Sequence, residues 1–179
     1  METVCFEKIW RGVFLQRIHT CMDIPNAFNH GKMIQNWLAG SLQGNVAITV
    51  QPNQSHFSEH TLQALLAQAH SAVEAIAFGG EDRPKEPYLV WVMETSPSGK
   101  PHAHAIANIR SHKRLVRVLE KAHGALFHVT HRYVKQHCKK PTIPSVQVLP
   151  MTADDAKKWH GYINKDGYLD ISGDRFFFG

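Results

Sequence analysis

Along this chain the apolar positions change period several times, and each change predicts an element. The run NVAITVQP, from Asn45, is short, rich in β-branched residues and closed by Pro52, which predicts a strand. The next stretch, SEHTLQALLAQAHSAVEAIAFGG, switches to helical spacing: Leu62, Leu65, Leu66, Ala69, Val73 and Ile76 recur on one face. Ser58 is placed to cap that helix and Gly79–Gly80 to stop it. EDRPKEP is a charged loop with two prolines. YLVWVMETS is apolar on both faces and predicts a strand, PSGK a turn, and PHAHAIANI a second strand, so the pair reads as a hairpin. HKRLVRVLEKAHG predicts a short amphipathic helix ended by Gly124, with ALFHVTHRYV extended at its start. After the loop KKPTIP comes a strand, SVQVLP. TADDAKKWHGYINKDG predicts a helix with Thr152 as N-cap, Asp154 and Asp155 in its first turn and Gly167 at its stop. The tail YLDISGDRFFFG is a candidate edge strand.

Residues 1–44 show no clean period, although IPNAFNHGKMIQNWLAGSL within them has helical character with Pro25 in a first turn. They are read as an N-terminal extension of the domain formed by residues 45–179. The order β-α-β-β-α-β-α predicts an α+β fold: one mostly antiparallel central sheet with helices packed on one face.

Composition narrows the class. A chain of 179 residues with 43% hydrophobic and 20% charged positions can bury a core of its own, as a soluble globular domain does. No apolar run approaches the roughly 20 residues of a membrane span, and METVCFEKIW lacks the basic start and apolar block of a signal peptide. Three scattered cysteines, Cys5, Cys21 and Cys138, argue for a reducing compartment, hence an intracellular protein, and against a disulfide framework. The formal charge of +5 permits a polyanionic partner without requiring one.

Thirteen histidines are the unusual feature. With that many, an H-x-H is expected about once by chance, so the pair in PHAHAIANI means little alone. Strand geometry adds to it. His102, His104, Ile106 and Asn108 point one way, and Ala103, Ala105, Ala107 and Ile109 the other. Three alanines suit close packing under a helix, so theirs is the core face and the histidines occupy the more open side. Glu94 is a lone carboxylate in the preceding apolar strand. A three-residue loop Ser98-Gly99-Lys100 would pair Glu94 with His104 and gather Glu94, His102 and His104 on one face; a slip of one residue would send Glu94 to the other. Two imidazoles and a carboxylate suit Mg²⁺, Mn²⁺ or another divalent ion. Downstream, Tyr162 and Lys165 share a helix face, with Lys158 and Trp159 one turn back.

The ordered set VAITVQP, PHAHAI and YINK resembles the three motifs of the HUH endonucleases that initiate rolling-circle replication, over residues 45–167. The resemblance implies a ferredoxin- or RRM-like palm, a divalent metal (Mg²⁺ or Mn²⁺) held by His102 and His104 with Glu94 as third ligand, and Tyr162 as the nucleophile. Tyr162 would cleave single-stranded or hairpin origin DNA, leaving a 3′-hydroxyl and a 5′-phosphotyrosine that can be rejoined, with Lys165 at the phosphate. Its partners would include host replication proteins or a helicase. Its compartment would be the cytoplasm of a bacterium or archaeon, or the nucleus for a eukaryotic virus. A phenol with pKa near 10 needs such help, since metal and ammonium both stabilise phenolate.

Candidate phosphate contacts are Arg110, Lys113, Arg114 and Arg117 in RSHKRLVR, Arg132 and Lys135 in HRYVKQHCKK with Lys139 and Lys140 behind them, and Lys158. A solvated helix face accounts for either patch equally well. His128, His131, His137 and Cys138 match no standard zinc finger spacing. Two other functions compete: a single-tyrosine transposase or relaxase, and a non-catalytic RRM-like module. The latter lacks aromatic residues on PHAHAIANI for stacking bases.

Overall fold

The computed structural model describes residues 44–55, 57–79, 88–163 and 176–178, with Glu59, residues 160–163 and residues 176–178 described by backbone alone. Residues 1–43 of the N-terminal extension, the EDRPKEP loop up to Pro87, Lys165 and the expected stop at Gly167 lie outside the described residues. The elements run β1 (Val46–Gln51), α1 (Glu59–Phe78), β2 (Leu89–Thr95), β3 (Pro101–Ala107), α2 (His112–His137), β4 (Ser145–Pro150), α3 (Ala153–Ile163) and β5 (Phe176–Phe178). The class is α+β, as expected. The sheet order is β4-β1-β3-β2-β5, and every pairing is antiparallel. The FFF tail is the edge strand beside β2.

β3 is central, and its two faces set the architecture. Ala103, Ala105, Ala107 and Ile109 join Leu89, Trp91 and Met93 of β2 and Val46, Ile48 and Val50 of β1 in the main core. Leu62, Leu65, Leu66, Ala69 and Val73 of α1, with Val118, Ala122, Leu126 and Val134 of α2, close that core from the alanine side. The helix ends follow local chemistry. Ser58 accepts from the Thr61 N–H at 3.1 Å, and Gly79 closes α1 in the left-handed region at φ 57°. Thr152 and Asp155 form a reciprocal cap on α3: the Asp155 carboxylate accepts from the Thr152 hydroxyl (2.7 Å) and N–H (3.0 Å), and the Asp155 N–H donates to the Thr152 hydroxyl (3.2 Å).

Two expectations change. Gly124 does not end a helix; α2 runs through it to His137. Its buried stripe, Val118, Ala122, Leu126, Thr130, Tyr133 and Val134, keeps helical spacing across the glycine. One interior glycine costs about 1 kcal/mol, whereas burying a single leucine such as Leu126 gains roughly 1.5–3 kcal/mol, so packing wins. The helices are also not all on one face. Trp159 of α3 touches His104, which places α3 on the histidine side. That side is covered rather than open: Ala47, Val90, Val92 and Ile106 are all buried, as are both histidines.

Candidate metal centre

The β2–β3 hairpin positions the cluster. Its turn spans Ser96–Gly99, with the Gly99 N–H donating to the Ser96 carbonyl at 2.8 Å. Pro97 takes the second turn position, where its fixed φ fits. Gly99 follows at φ 74°, a left-handed conformation that glycine adopts freely. The Ser96 N–H then pairs with the Lys100 carbonyl at 2.9 Å, and the Lys100 N–H returns to the Ser96 hydroxyl at 3.1 Å. The loop is therefore Pro97-Ser98-Gly99, a turn with a glycine bulge, one residue earlier than expected. The register changes accordingly. Glu94 faces His102, and His104 faces Val92. The expected pairing of Glu94 with His104 is off by two residues, a shift that leaves every side chain on its face.

The three groups converge. Glu94 Oε2 lies 3.6 Å from His102 Nε2 and 3.8 Å from His104 Nε2. The three ligand atoms all fall within 4.8 Å of one another, so Glu94, His102 and His104 can hold a metal ion. Around a small divalent ion with bonds near 2.1 Å, adjacent ligand atoms stand about 3 Å apart and opposite ones about 4.2 Å. The trio is within a side-chain adjustment of that spacing. The two imidazole rings meet edge to face, with centroids 5.0 Å apart at 89°. Each directs its Nδ1 elsewhere: His104 to the Thr49 hydroxyl at 3.0 Å, His102 toward the Lys100 carbonyl at 3.4 Å. A carbonyl can only accept, so a proton on His102 Nδ1 leaves Nε2 its lone pair, as a ligand needs.

Trp159 lies against His104 with centroids 5.1 Å apart at 68°. Position 162 is three residues further along α3, within its described backbone, and positions three apart on a helix are neighbours. The side chain of Tyr162 lies outside the described part, as does Lys165 altogether. Thr49 and Trp159 are the neighbours of His104 that the local patterns left unassigned. Thr49 carried one signal, as the sole polar residue in VAITV.

The candidate phosphate contacts do not gather here. Arg114 stacks its guanidinium on Phe78, 5.0 Å from the ring centroid, and Arg117 Nη1 donates to the Ile76 carbonyl at 3.4 Å. Both support the last turn of α1, where a cation meets the helix dipole favourably. Lys113, Arg132 and Lys135 lie on α2, the helix packed on the alanine face, and Arg110 is exposed just before it. Of the set, only Lys158, exposed on α3, shares an element with Trp159. Among the described residues Glu94, His102 and His104 form the one group of three or more potential metal ligands. His137 instead stacks on Tyr133 at 4.2 Å, and His131 lies against Phe127 at 5.7 Å. No helix among the described residues is long and apolar enough to cross a membrane. Compared with protein-family models, with curated proteins and with solved structures, the chain finds no match.

Proposed function

We propose that the protein is a metal-dependent, site-specific endonuclease that nicks and rejoins single-stranded DNA and initiates rolling-circle replication. The observation that carries this reading is the Glu94–His102–His104 cluster with Trp159 against His104, on the helix whose backbone includes position 162. The order of the three motifs along the chain supports the same reading.

Two imidazoles and a carboxylate accept several divalent ions, and the motif resemblance is what points to Mg²⁺ or Mn²⁺ among them. Such an ion, when bound, supplies Lewis-acid polarisation of a phosphate oxygen. The chain's own residues do the rest. Glu94, His102 and His104 hold the centre. Tyr162 forms the Oη–P bond as the P–O3′ bond breaks, and the departing 3′-oxygen takes a proton to become a hydroxyl. The tyrosine keeps the 5′-phosphate, and attack by a 3′-hydroxyl reverses the step and joins the ends. Lys165 stabilises charge at the phosphate. The partners are single-stranded or hairpin origin DNA and the replication proteins that extend the freed 3′-end.

Incubating the full chain with a random pool of single-stranded oligonucleotides and Mn²⁺ tests this. A covalent adduct that survives denaturing electrophoresis, vanishes with EDTA and is absent in Tyr162→Phe is expected. An adduct formed by Tyr162→Phe would overturn the nucleophile. Binding that ignores EDTA, with no cleavage, would favour an RRM-like module. Sequencing the cleaved oligonucleotides separates an origin from a transposon end or a transfer origin.

A further inference from the structure

Thr49 sits directly opposite His104 in the β1–β3 register, and it is the one polar residue between Val46 and Val50. Its hydroxyl lies 3.0 Å from His104 Nδ1. The two histidines are anchored differently. His102 approaches a carbonyl of its own hairpin at a long 3.4 Å, whereas His104 is held from a neighbouring strand. A β-branched side chain on a strand has few χ1 choices, so the hydroxyl is fixed where the ring nitrogen meets it. Other sides of the His104 ring are set by His102 and by Trp159.

We propose that Thr49 is a positioning residue for the metal centre. With the ion bound, its hydroxyl accepts the Nδ1–H of His104 and fixes that ring with its Nε2 lone pair toward the ion. This rests on the reading of Glu94, His102 and His104 as metal ligands. The first motif, VAITVQP, thereby gains a physical role, because β1 supplies the outer partner of a ligand carried by β3. Groups that hold a metal-binding histidine by its other nitrogen usually matter to affinity by about 10–100-fold.

The test uses the full chain and Mn²⁺ alone, with free Mn²⁺ followed by electron paramagnetic resonance. Thr49→Val keeps the shape and removes the acceptor, and is expected to bind Mn²⁺ about 10–100-fold more weakly. Thr49→Ser, which keeps the hydroxyl, is expected to restore most of the affinity. With diamagnetic Mg²⁺ bound, ¹⁵N spectra of the imidazoles should show His104 protonated at Nδ1 in the parent and in Thr49→Ser, and a changed Nδ1 signal in Thr49→Val. Parent-like Mn²⁺ affinity in Thr49→Val overturns the proposal. So does a loss shared equally by the serine variant, because packing and not the hydroxyl would then be responsible. Failure of the underlying metal reading has its own signature: no Mn²⁺ uptake by the parent, or uptake undiminished in His104→Ala.

Discussion

Gly124→Ala separates two accounts of the same segment by the sign of one measurement. In the structure Gly124 is an exposed, interior residue of α2, and a methyl group added there meets no described atom within 4 Å beyond its own stretch of helix. No packing term opposes the change, so helix propensity alone decides it. Alanine is favoured over glycine in a helix interior by about 0.8–1.0 kcal/mol. With a urea m-value of about 2 kcal/mol/M, the unfolding midpoint should rise by roughly 0.4–0.5 M. The melting temperature should rise by about 2–4 °C for a chain of this size. Far-ultraviolet circular dichroism against urea measures this directly. If α2 instead ended at Gly124, the glycine would occupy the left-handed position that follows a helix, and alanine would cost about 1 kcal/mol there. A lowered or unchanged midpoint therefore refutes the continuous helix. Gly99→Ala is the internal control. It too meets nothing within 4 Å, but its φ is 74°, so the same substitution should destabilise by about 1–2 kcal/mol.

Three further outcomes follow from packing and charge. Ala105 is buried directly opposite both Trp91 and Ile48, so Ala105→Leu should overpack the core and cost about 1–3 kcal/mol in urea unfolding; parent-like stability would mean that the helices do not seal this face. Thr130 is fully buried and its hydroxyl has no hydrogen-bond partner among the described residues, so Thr130→Val should stabilise by about 1 kcal/mol, and a clear loss would mean that the hydroxyl is bonded. The Asp155 carboxyl is held below its usual range by the Thr152 side chain, then by the Thr152 backbone N–H, with Lys158 adding a smaller pull. A depressed folded value means that this stabilisation is present above the ordinary aspartate pKa of about 3.9 and is lost as pH falls through the lower folded value. The parent should exceed Asp155→Asn in melting temperature at neutral pH, with the gap closing in acid; a gap constant with pH would exclude the charge as its source.

The elements were legible where one local pattern dominated. Apolar or β-branched runs marked β1, β2 and β4, the hairpin turn marked β3, and the caps Ser58, Gly79 and Thr152 stand where their chemistry predicts. What was not legible is non-local. No period in VAITVQP says that β1 lies beside β3, because that pairing joins strands separated by a helix and a hairpin. The same gap hid Thr49. Gly124 misled for a related reason: a glycine is a local stop signal, whereas the stripe that carries α2 past it gains its energy from α1 and the sheet. The two basic patches read equally well as phosphate contacts or as solvated surface, and Arg114 and Arg117 are engaged with Phe78 and Ile76, contacts invisible without the α1–α2 packing.

The cluster tolerates a shift in register because of parity. On a strand, side chains alternate with period two, so a two-residue shift changes which residues are opposite but not which face they occupy. Moving the partner of Glu94 from His104 to His102 leaves one carboxylate and two imidazoles on one side of the sheet, with both histidines within 4 Å of Glu94 Oε2. A one-residue shift would have sent Glu94 into the alanine face, where Trp91 and Met93 fill the core. The arrangement therefore depends less on which histidine is opposite than on the odd number of loop residues between Ser96 and Lys100. Gly99 sets that number: its left-handed φ lets Pro97-Ser98-Gly99 close as a three-residue loop with its bulge. A variant hairpin closing with a two-residue loop would reverse the facing of one strand. The candidate metal site would then be lost with Glu94, His102 and His104 all still in the chain.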